Sequence, residues 1–151
     1  TEGLTAMGWM RGDVEESVAS GAFAAFLPHG VGHMLGLDVH DMEGIGEDHV
    51  GYDARHQRSP RFGIANLRLG KPLQEGFVMT VEPGIYRIPP LLERLRNDPE
   101  IGGFLEVDRA LASSAIGGIR IEDVVAVGSE GARVLGDPIP SSVTDIEALV
   151  G

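Results

Sequence analysis

The sequence predicts an α+β fold in which short helices accompany strands joined by tight turns. Two apolar runs have strand character, and separate capping signals mark several helices. Glycine makes up 22 of the 151 residues, about twice its usual share of ~7%. This excess disfavours a helical bundle, because glycine weakens helix interiors and suits tight turns.

Two helices are predicted near the N-terminus, over residues 4–10 and 14–22. The second begins after Asp13, which has the spacing of a capping box with Glu16. Residues 17–37 contain no Asp, Glu, Lys or Arg. One proline and four glycines interrupt this stretch, so it is not the ~20-residue apolar helix that a membrane span needs.

The middle of the chain predicts a long polar loop followed by a strand. Glycine and proline break every regular period between residues 42 and 66, and loops of this length are usually functional or disordered. A turn at residues 72–76 leads into a strand over 77–82, which Pro83 and Gly84 terminate.

The last third predicts short helices over residues 91–96 and 104–112 and the clearest strand over 119–127. A final helix opens at Thr144, which has capping-box spacing to Glu147. No internal repeat or linker divides the sequence, so one domain is predicted over residues 1–151. The chain starts at Thr1 without a methionine or a leader pattern, and we expect it to be a piece of a longer protein.

Charge and cysteine content exclude several classes of function. The chain has 12 Lys and Arg against 23 Asp and Glu, a formal net charge of -11. Such a surface repels nucleic acid, and no basic stripe could neutralise consecutive phosphates. The absence of cysteine excludes disulfides, thiolate metal sites and a cysteine nucleophile, and it fits a reducing compartment such as the cytoplasm.

Each predicted strand carries a carboxylate. Alternation puts Thr80 and Glu82 on one face of the first strand, and Arg120 and Glu122 on one face of the second. The neighbours are apolar enough to be buried, and a buried carboxylate needs a counter-charge. Pairing of Arg120 with one of the carboxylates is the simplest structural explanation.

Three histidines favour a metal site instead. His29, His33 and His40 lie within one stretch of twelve residues. This stretch is rich in glycine, so the backbone can approach a ligand closely. Imidazole nitrogen and carboxylate oxygen suit divalent Mn, Co or Zn. The motif H-E-x-x-H is absent, so a helical zincin site is excluded.

Residues 26–41, 80–86 and 118–123 resemble, in order and spacing, three motifs of the pita-bread metallopeptidases. Within this family the three segments are most similar to those of prolidases (Xaa-Pro dipeptidases) and Xaa-Pro aminopeptidases. The similarity includes residues 86–92, which resemble a prolidase insertion. The resemblance implies the C-terminal portion of a pita-bread fold, with a curved, mostly antiparallel sheet and helices on its outer face. It also implies part of a catalytic domain that hydrolyses the bond before proline in di- or oligopeptides.

The resemblance assigns a role to each candidate residue. The implied metal ligands are His33, Glu82 and Glu122, and Glu82 also matches the candidate general base or proton shuttle. The implied substrate-binding residues are His29, His40 and Arg68. His40 also matches a catalytic histidine that stabilises the tetrahedral intermediate, and Arg68 matches an arginine that grips the free carboxylate of a dipeptide. Arg120 matches an arginine beside the bridging glutamate. The implied cofactors are two Mn²⁺ ions per full-length subunit, with Co or Zn as substitutes, and the implied full-length assembly is a homodimer.

The sequence also departs from this family. Two aspartate ligands precede the matched segment, so the chain carries three of five ligands, and we expect it to be inactive alone. The alternatives are a non-catalytic pita-bread module that binds peptides or proteins, a creatinase-type enzyme without metal, and a methionine aminopeptidase. The choice between dipeptidase and aminopeptidase stays open, and His29 and His40 could instead be hydrogen-bonded structural residues.

Overall fold

The structure, a computed structural model, describes residues 1–113 and 117–151. The chain divides into two compact units that interleave along the sequence. The first comprises Thr1–Gly30, Arg58–Leu67 and Gly84–Arg120, and the second comprises Val31–Gln57, Arg68–Pro83 and Ile121–Gly151. The predicted single domain over residues 1–151 stays a prediction.

The elements follow one another in this order: α1 (Glu2–Ala6), α2 (Val14–Ser20), α3 (Glu47–Val50), β1 (Val78–Val81), β2 (Gly84–Tyr86), α4 (Pro89–Leu95), α5 (Val107–Ala112), β3 (Gly118–Arg120), β4 (Asp123–Gly128), β5 (Gly131–Val134) and α6 (Val143–Val150). Short 3-10 helices lie at Ala22–Ala25, Glu43–Ile45 and Gly102–Phe104. Every helix in the described part of the chain is too short or too polar to span a lipid bilayer.

Local capping explains where the N-terminal helices differ from their predicted bounds. α1 ends before the predicted residue 10, and α2 begins as predicted. The Asp13 carboxylate accepts a hydrogen bond from the Glu16 N–H at 2.9 Å, which satisfies one free donor at the start of α2. α2 ends before the predicted residue 22 because Gly21 adopts a left-handed φ of +80°.

The helices α4 and α5 also differ at their starts. α4 begins at Pro89, two residues before its prediction, because proline fits the first helical turn, where its missing N–H has no partner. The predicted helix over 104–112 is shorter, since Leu105 is extended and pairs with Met10 in an isolated bridge. α5 therefore starts only at Val107.

A hydrophobic core fills the first unit. Phe26, Met10 and Leu92 are at most 2% exposed, and each buried side chain of this size contributes about 1.5–3 kcal/mol. The Trp9 ring packs on Phe26 with centroids 5.5 Å apart. The Phe26 carbonyl also accepts from the Tyr86 N–H at 2.8 Å, so β2 is attached to this core.

The predicted strand over residues 119–127 is wrong as one element, because the structure divides it. β3 pairs with β2 in a two-stranded sheet, and β4 lies between β1 and β5 in a three-stranded sheet, all antiparallel. The break falls at Ile121 and Glu122, next to Pro83, which has no N–H to donate to a ladder. The single-face argument for Arg120 and Glu122 therefore fails.

The expected burial holds for only part of each predicted strand. Met79 and Thr80 of β1 are buried, as is Val125 of β4. In contrast, Ile119 is 51% exposed and Ile121 is 43% exposed, so the expectation that the second carboxylate sits among buried apolar neighbours is wrong.

Two further corrections concern polar segments. The predicted loop over residues 42–66 contains α3 and the 3-10 helix Glu43–Ile45. The final helix begins at Val143, and its N-cap is Ser142. The Ser142 hydroxyl accepts from the Asp145 N–H at 3.1 Å, so this residue takes the role predicted for Thr144.

Candidate metal centre

A short extended segment, residues 31–35, lies along the edge of β1 opposite β4. Three backbone hydrogen bonds of 2.6–2.9 Å join the two: Leu35 N–H to Val78 O, Thr80 N–H to His33 O, and Glu82 N–H to Val31 O. Gly32 permits this approach, because a Cβ at that position would lie 2.1 Å from the Thr80 carbonyl oxygen. Backbone pairing therefore fixes His33 beside the strand that carries Glu82.

The side chains of His33 and Glu82 meet through a ring nitrogen and a carboxylate oxygen. His33 Nδ1 lies 3.0 Å from the Met34 carbonyl oxygen, and because a carbonyl only accepts, Nδ1 carries the hydrogen. In the neutral ring, Nε2 then holds a lone pair, and it lies 3.4 Å from Glu82 Oε1. The two side chains are 9% and 13% exposed, so a proton or a metal ion between them is needed to make the contact favourable.

This donor pair fits a divalent ion. Two ligand atoms held ~2.1 Å from an ion at a tetrahedral angle are about 3.4 Å apart, which matches the distance between His33 Nε2 and Glu82 Oε1. Histidine ligands almost always donate their other ring N–H to a carbonyl, a carboxylate or water, as His33 does to Met34. The donor types suit Mn, Co or Zn.

Thr80 connects the two candidate ligands, although the sequence analysis gave it no role. Its side chain is 1% exposed. The hydroxyl accepts from the His33 N–H at 3.0 Å and donates to Glu82 Oε1 at 3.0 Å. A hydroxyl two residues before a carboxylate on the same strand face is the sequence signal that could have identified it.

Glu122 is placed by the register of β1 and β4. Val81 lies opposite Asp123, and continuing the register by one residue places Glu82 opposite Glu122. One step further, the Ile121 N–H donates to the Pro83 carbonyl oxygen at 3.2 Å.

Among the described residues, no three His, Asp or Glu side chains are grouped closely enough to hold one metal ion. The structure brings together His33 and Glu82, and Glu122 directly precedes Asp123, which pairs with Val81 at the end of the ladder. The complete ligand set of His33, Glu82 and Glu122 stays a prediction.

A polar network extends from His33 to Arg68. The His33 and His40 rings meet edge to face, with centroids 4.5 Å apart. His40 Nδ1 lies 3.0 Å from Glu43 Oε2, and the Arg68 guanidinium donates to Glu43 Oε1. Arg68 Nη1 is also 3.5 Å from Glu47 Oε1.

Arg68 is held in an unusual backbone conformation, with a left-handed φ of +59°, which is uncommon outside glycine. A Cβ on Gly51 would lie 1.7 Å from the Arg68 carbonyl oxygen. The Gly51 carbonyl oxygen accepts from the N–H groups of Gly70 and Lys71, at 2.8 and 3.0 Å. This turn presents the arginine at a defined place.

The electrostatics of the network centre on Glu43. Its hydrogen bond to Arg68 holds its pKa below the usual value, and His40 adds to this effect. The cavity bounded by His33, His40, Glu43 and Arg68 has a volume of about 20 Å³, which is room for about one water. Sequence reasoning missed Glu43 and Glu47 because their segment was predicted as an irregular loop.

His29 and Arg120 belong to the first unit. His29 Nδ1 lies 2.6 Å from the Gly30 carbonyl oxygen, and Nε2 lies 2.8 Å from the Tyr86 hydroxyl. Both ring nitrogens are therefore engaged within this unit. Arg120 is exposed on β3. The substrate role of His29 and the role of Arg120 beside Glu122 stay predictions.

Comparison with protein families places these residues in context. The model of metallopeptidase family M24 matches residues 5–129. The chain belongs to metallopeptidase family M24. Its M24 relatives include the human Xaa-Pro dipeptidase, 40% identical over 97% of this chain and 28% of that protein. The Xaa-Pro dipeptidase of Marinobacter nauticus is 43% identical over 87% of this chain and 28% of its own length.

Solved structures of aminopeptidase P resemble this M24 chain over almost its whole length. The Pseudomonas aeruginosa aminopeptidase PepP aligns with a TM-score of 0.60 at 35% identity, covering 98% of this chain and 26% of that one. The zinc-substituted Escherichia coli aminopeptidase P aligns with a TM-score of 0.59 at 32% identity, covering 98% and 25%. The predicted α+β, pita-bread class is confirmed, and the chain spans about 28% of the curated relatives' length.

Proposed function

We propose that this chain is the C-terminal part of a metal-dependent peptidase that hydrolyses the bond before proline in di- or oligopeptides. The observation that carries the proposal is the buried contact between His33 Nε2 and Glu82 Oε1 at 3.4 Å. The distance, the donor types and the His33 tautomer all suit a divalent ion.

His33, Glu82 and Glu122 are the proposed ligands, and two upstream aspartates would complete the set. Glu122 is proposed as the carboxylate shared by the two ions, and this role rests on the motif resemblance. Mn²⁺ is the proposed native metal, two ions per subunit, with Co or Zn as substitutes. Bound divalent ions supply a nucleophile near neutral pH and polarise the scissile carbonyl.

Glu82 is also the proposed proton carrier. Thr80 donates to Glu82 Oε1, which holds the carboxylate in place beside His33. His40 is proposed to contact the substrate. Its Nδ1 carries a hydrogen, because the Glu43 carboxylate only accepts, and Nε2 is then the nitrogen that would meet the substrate.

Arg68 is proposed to bind the free carboxylate of a dipeptide, since its fork of N–H donors matches a carboxylate. His29 is proposed to contact the substrate, and Arg120 is proposed to be the partner of Glu122. Both roles rest on the motif resemblance. The same resemblance supports the proposal of a homodimer. The proposal of a cytoplasmic location rests on the absence of cysteine.

Turnover by the intact protein that carries this chain tests the proposal. We expect the manganese-loaded protein to cleave Gly-Pro, and the 151-residue chain alone to leave it uncleaved and to bind Mn²⁺ weakly. An intact protein that binds two ions yet cleaves no Xaa-Pro peptide would contradict the proposal. If that protein bound the peptides without cleaving them, it would instead be the non-catalytic module.

Substitution of Thr80 tests whether its hydroxyl positions the proposed metal ligands. Thr80→Val in the intact protein keeps the shape but removes the hydroxyl between His33 and Glu82. We expect a 10- to 100-fold loss of Mn²⁺ affinity, roughly the effect of losing a group that orients a ligand, and about 1–3 kcal/mol lower stability. Calorimetric titration and urea unfolding measure the two effects.

Thr80→Ser is the matched control, because it keeps the hydroxyl and removes one methyl group. It is expected to retain Mn²⁺ affinity close to that of the unaltered protein. Equal losses of affinity in both variants would show that packing, rather than the hydroxyl, sets the position of Glu82.

A further inference from the structure

Glu43 binds the guanidinium of Arg68, the group that is proposed to bind a ligand's carboxylate. One oxygen of Glu43 accepts from the Arg68 guanidinium, and the other lies 3.0 Å from His40 Nδ1. A single internal carboxylate therefore binds both residues that are proposed to contact the substrate. Glu47, 3.5 Å from Arg68, supplies a second negative charge.

Charge opposes a third carboxylate at this place. Three carboxylates around one guanidinium repel one another. Both glutamates contact Nη1 of Arg68, so a ligand's carboxylate that binds at Nη1 must displace one of them.

Glu43 is the glutamate suited to move. Its side chain is 47% exposed, against 20% for Glu47. It begins the 3-10 helix Glu43–Ile45, which follows Met42 in a left-handed conformation and precedes Gly46, whose φ is +108°. This short element has no buried residue.

We propose that Glu43 is an internal competitor for Arg68 Nη1, which a substrate carboxylate displaces when it binds there, so that Glu43 weakens the binding of dipeptides. The inference rests on the proposed function for the role of Arg68. Displacement would also release His40 Nδ1, so carboxylate binding at Arg68 is coupled to the histidine beside His33.

Binding of L-proline and L-prolinamide to the intact, metal-loaded protein tests the inference, because the two probes differ in the carboxylate. Glu43→Gln is expected to tighten L-proline binding about two- to fivefold, the size of an exposed ion pair, and to leave L-prolinamide unchanged. Calorimetric titration measures both without turnover, so the result is separate from hydrolysis of Gly-Pro.

Two controls make the outcome specific. Glu130→Gln removes an exposed acid in the turn between β4 and β5 and is expected to change neither probe. In an Arg68→Met background, Glu43→Gln is expected to have no further effect on L-proline, as a double-mutant cycle requires of a contact through Arg68.

The opposite sign would overturn the inference. If Glu43→Gln weakens L-proline binding or abolishes it, Glu43 orients Arg68 for the ligand rather than competing with it. Unchanged L-proline binding, or equal tightening of both probes, would also exclude competition for a carboxylate.

Discussion

Glu82→Gln in the intact protein is expected to lower kcat/KM for Gly-Pro by about 10²–10⁴-fold, the loss typical of a positioned acid or base. The amide keeps an oxygen that can accept from Thr80, but it removes the negative charge and the proton-accepting oxygen. Because Glu82 is also a proposed ligand, bound Mn²⁺ is expected to fall as well. Steady-state kinetics and metal analysis of the purified variant measure the two effects.

Glu122→Gln distinguishes a ligand from a proton carrier. It removes the carboxylate across from Glu82, so we expect it to lower the Mn²⁺ content and to lower activity mainly through that loss. Excess Mn²⁺ should therefore restore more activity to Glu122→Gln than to Glu82→Gln. Glu130→Gln, at an exposed position of the same unit, should match the unaltered protein.

The roles of the two glutamates would be wrong if either variant kept full activity and both ions. If excess Mn²⁺ restored Glu82→Gln completely, Glu82 would be a ligand only, and the proton would be carried elsewhere.

Gly32→Ala is expected to separate residues 31–35 from β1. The new Cβ would lie 2.1 Å from the Thr80 carbonyl oxygen, a contact with backbone that no side-chain rotation relieves. Overpacking of this kind typically costs about 1–3 kcal/mol, and here it also displaces His33 from Glu82. We expect a lower urea midpoint and loss of most Mn²⁺ affinity.

Gly103→Ala is the matched control for this substitution. A Cβ at Gly103 meets nothing within 4 Å, so the same chemical change should leave stability and Mn²⁺ affinity unaltered. A Gly32→Ala protein with normal Mn²⁺ affinity would show that the pairing of residues 31–35 with β1 does not position the ligand.

The sequence predicted the kinds of elements better than their limits. Asp13 marked the start of α2 correctly, because a cap acts on the next few residues. The end of α2 depended on the left-handed Gly21, and the start of α5 on the bridge between Leu105 and Met10. The latter contact joins distant residues, so no local pattern predicts it.

The candidate site was also predicted only in part from the sequence. Motif spacing identified His33 and Glu82, but the hydrogen bonds that place them together join residues almost fifty positions apart. The tautomer of His33 follows from its contact with Met34 O, which only a structure reveals. Glu43 lay in a segment without periodicity, so its contact with Arg68 had no signal in the sequence.

The register of β1 and β4 has a consequence for engineering the protein. The pairing of β1 with β4 ends at Val81 and Asp123, the residues next to Glu82 and Glu122, so the backbone at the two glutamates depends little on outward side chains. All four residues of β5 are exposed. A fluorophore attached to this outer strand could therefore report metal loading while leaving the two carboxylates in place.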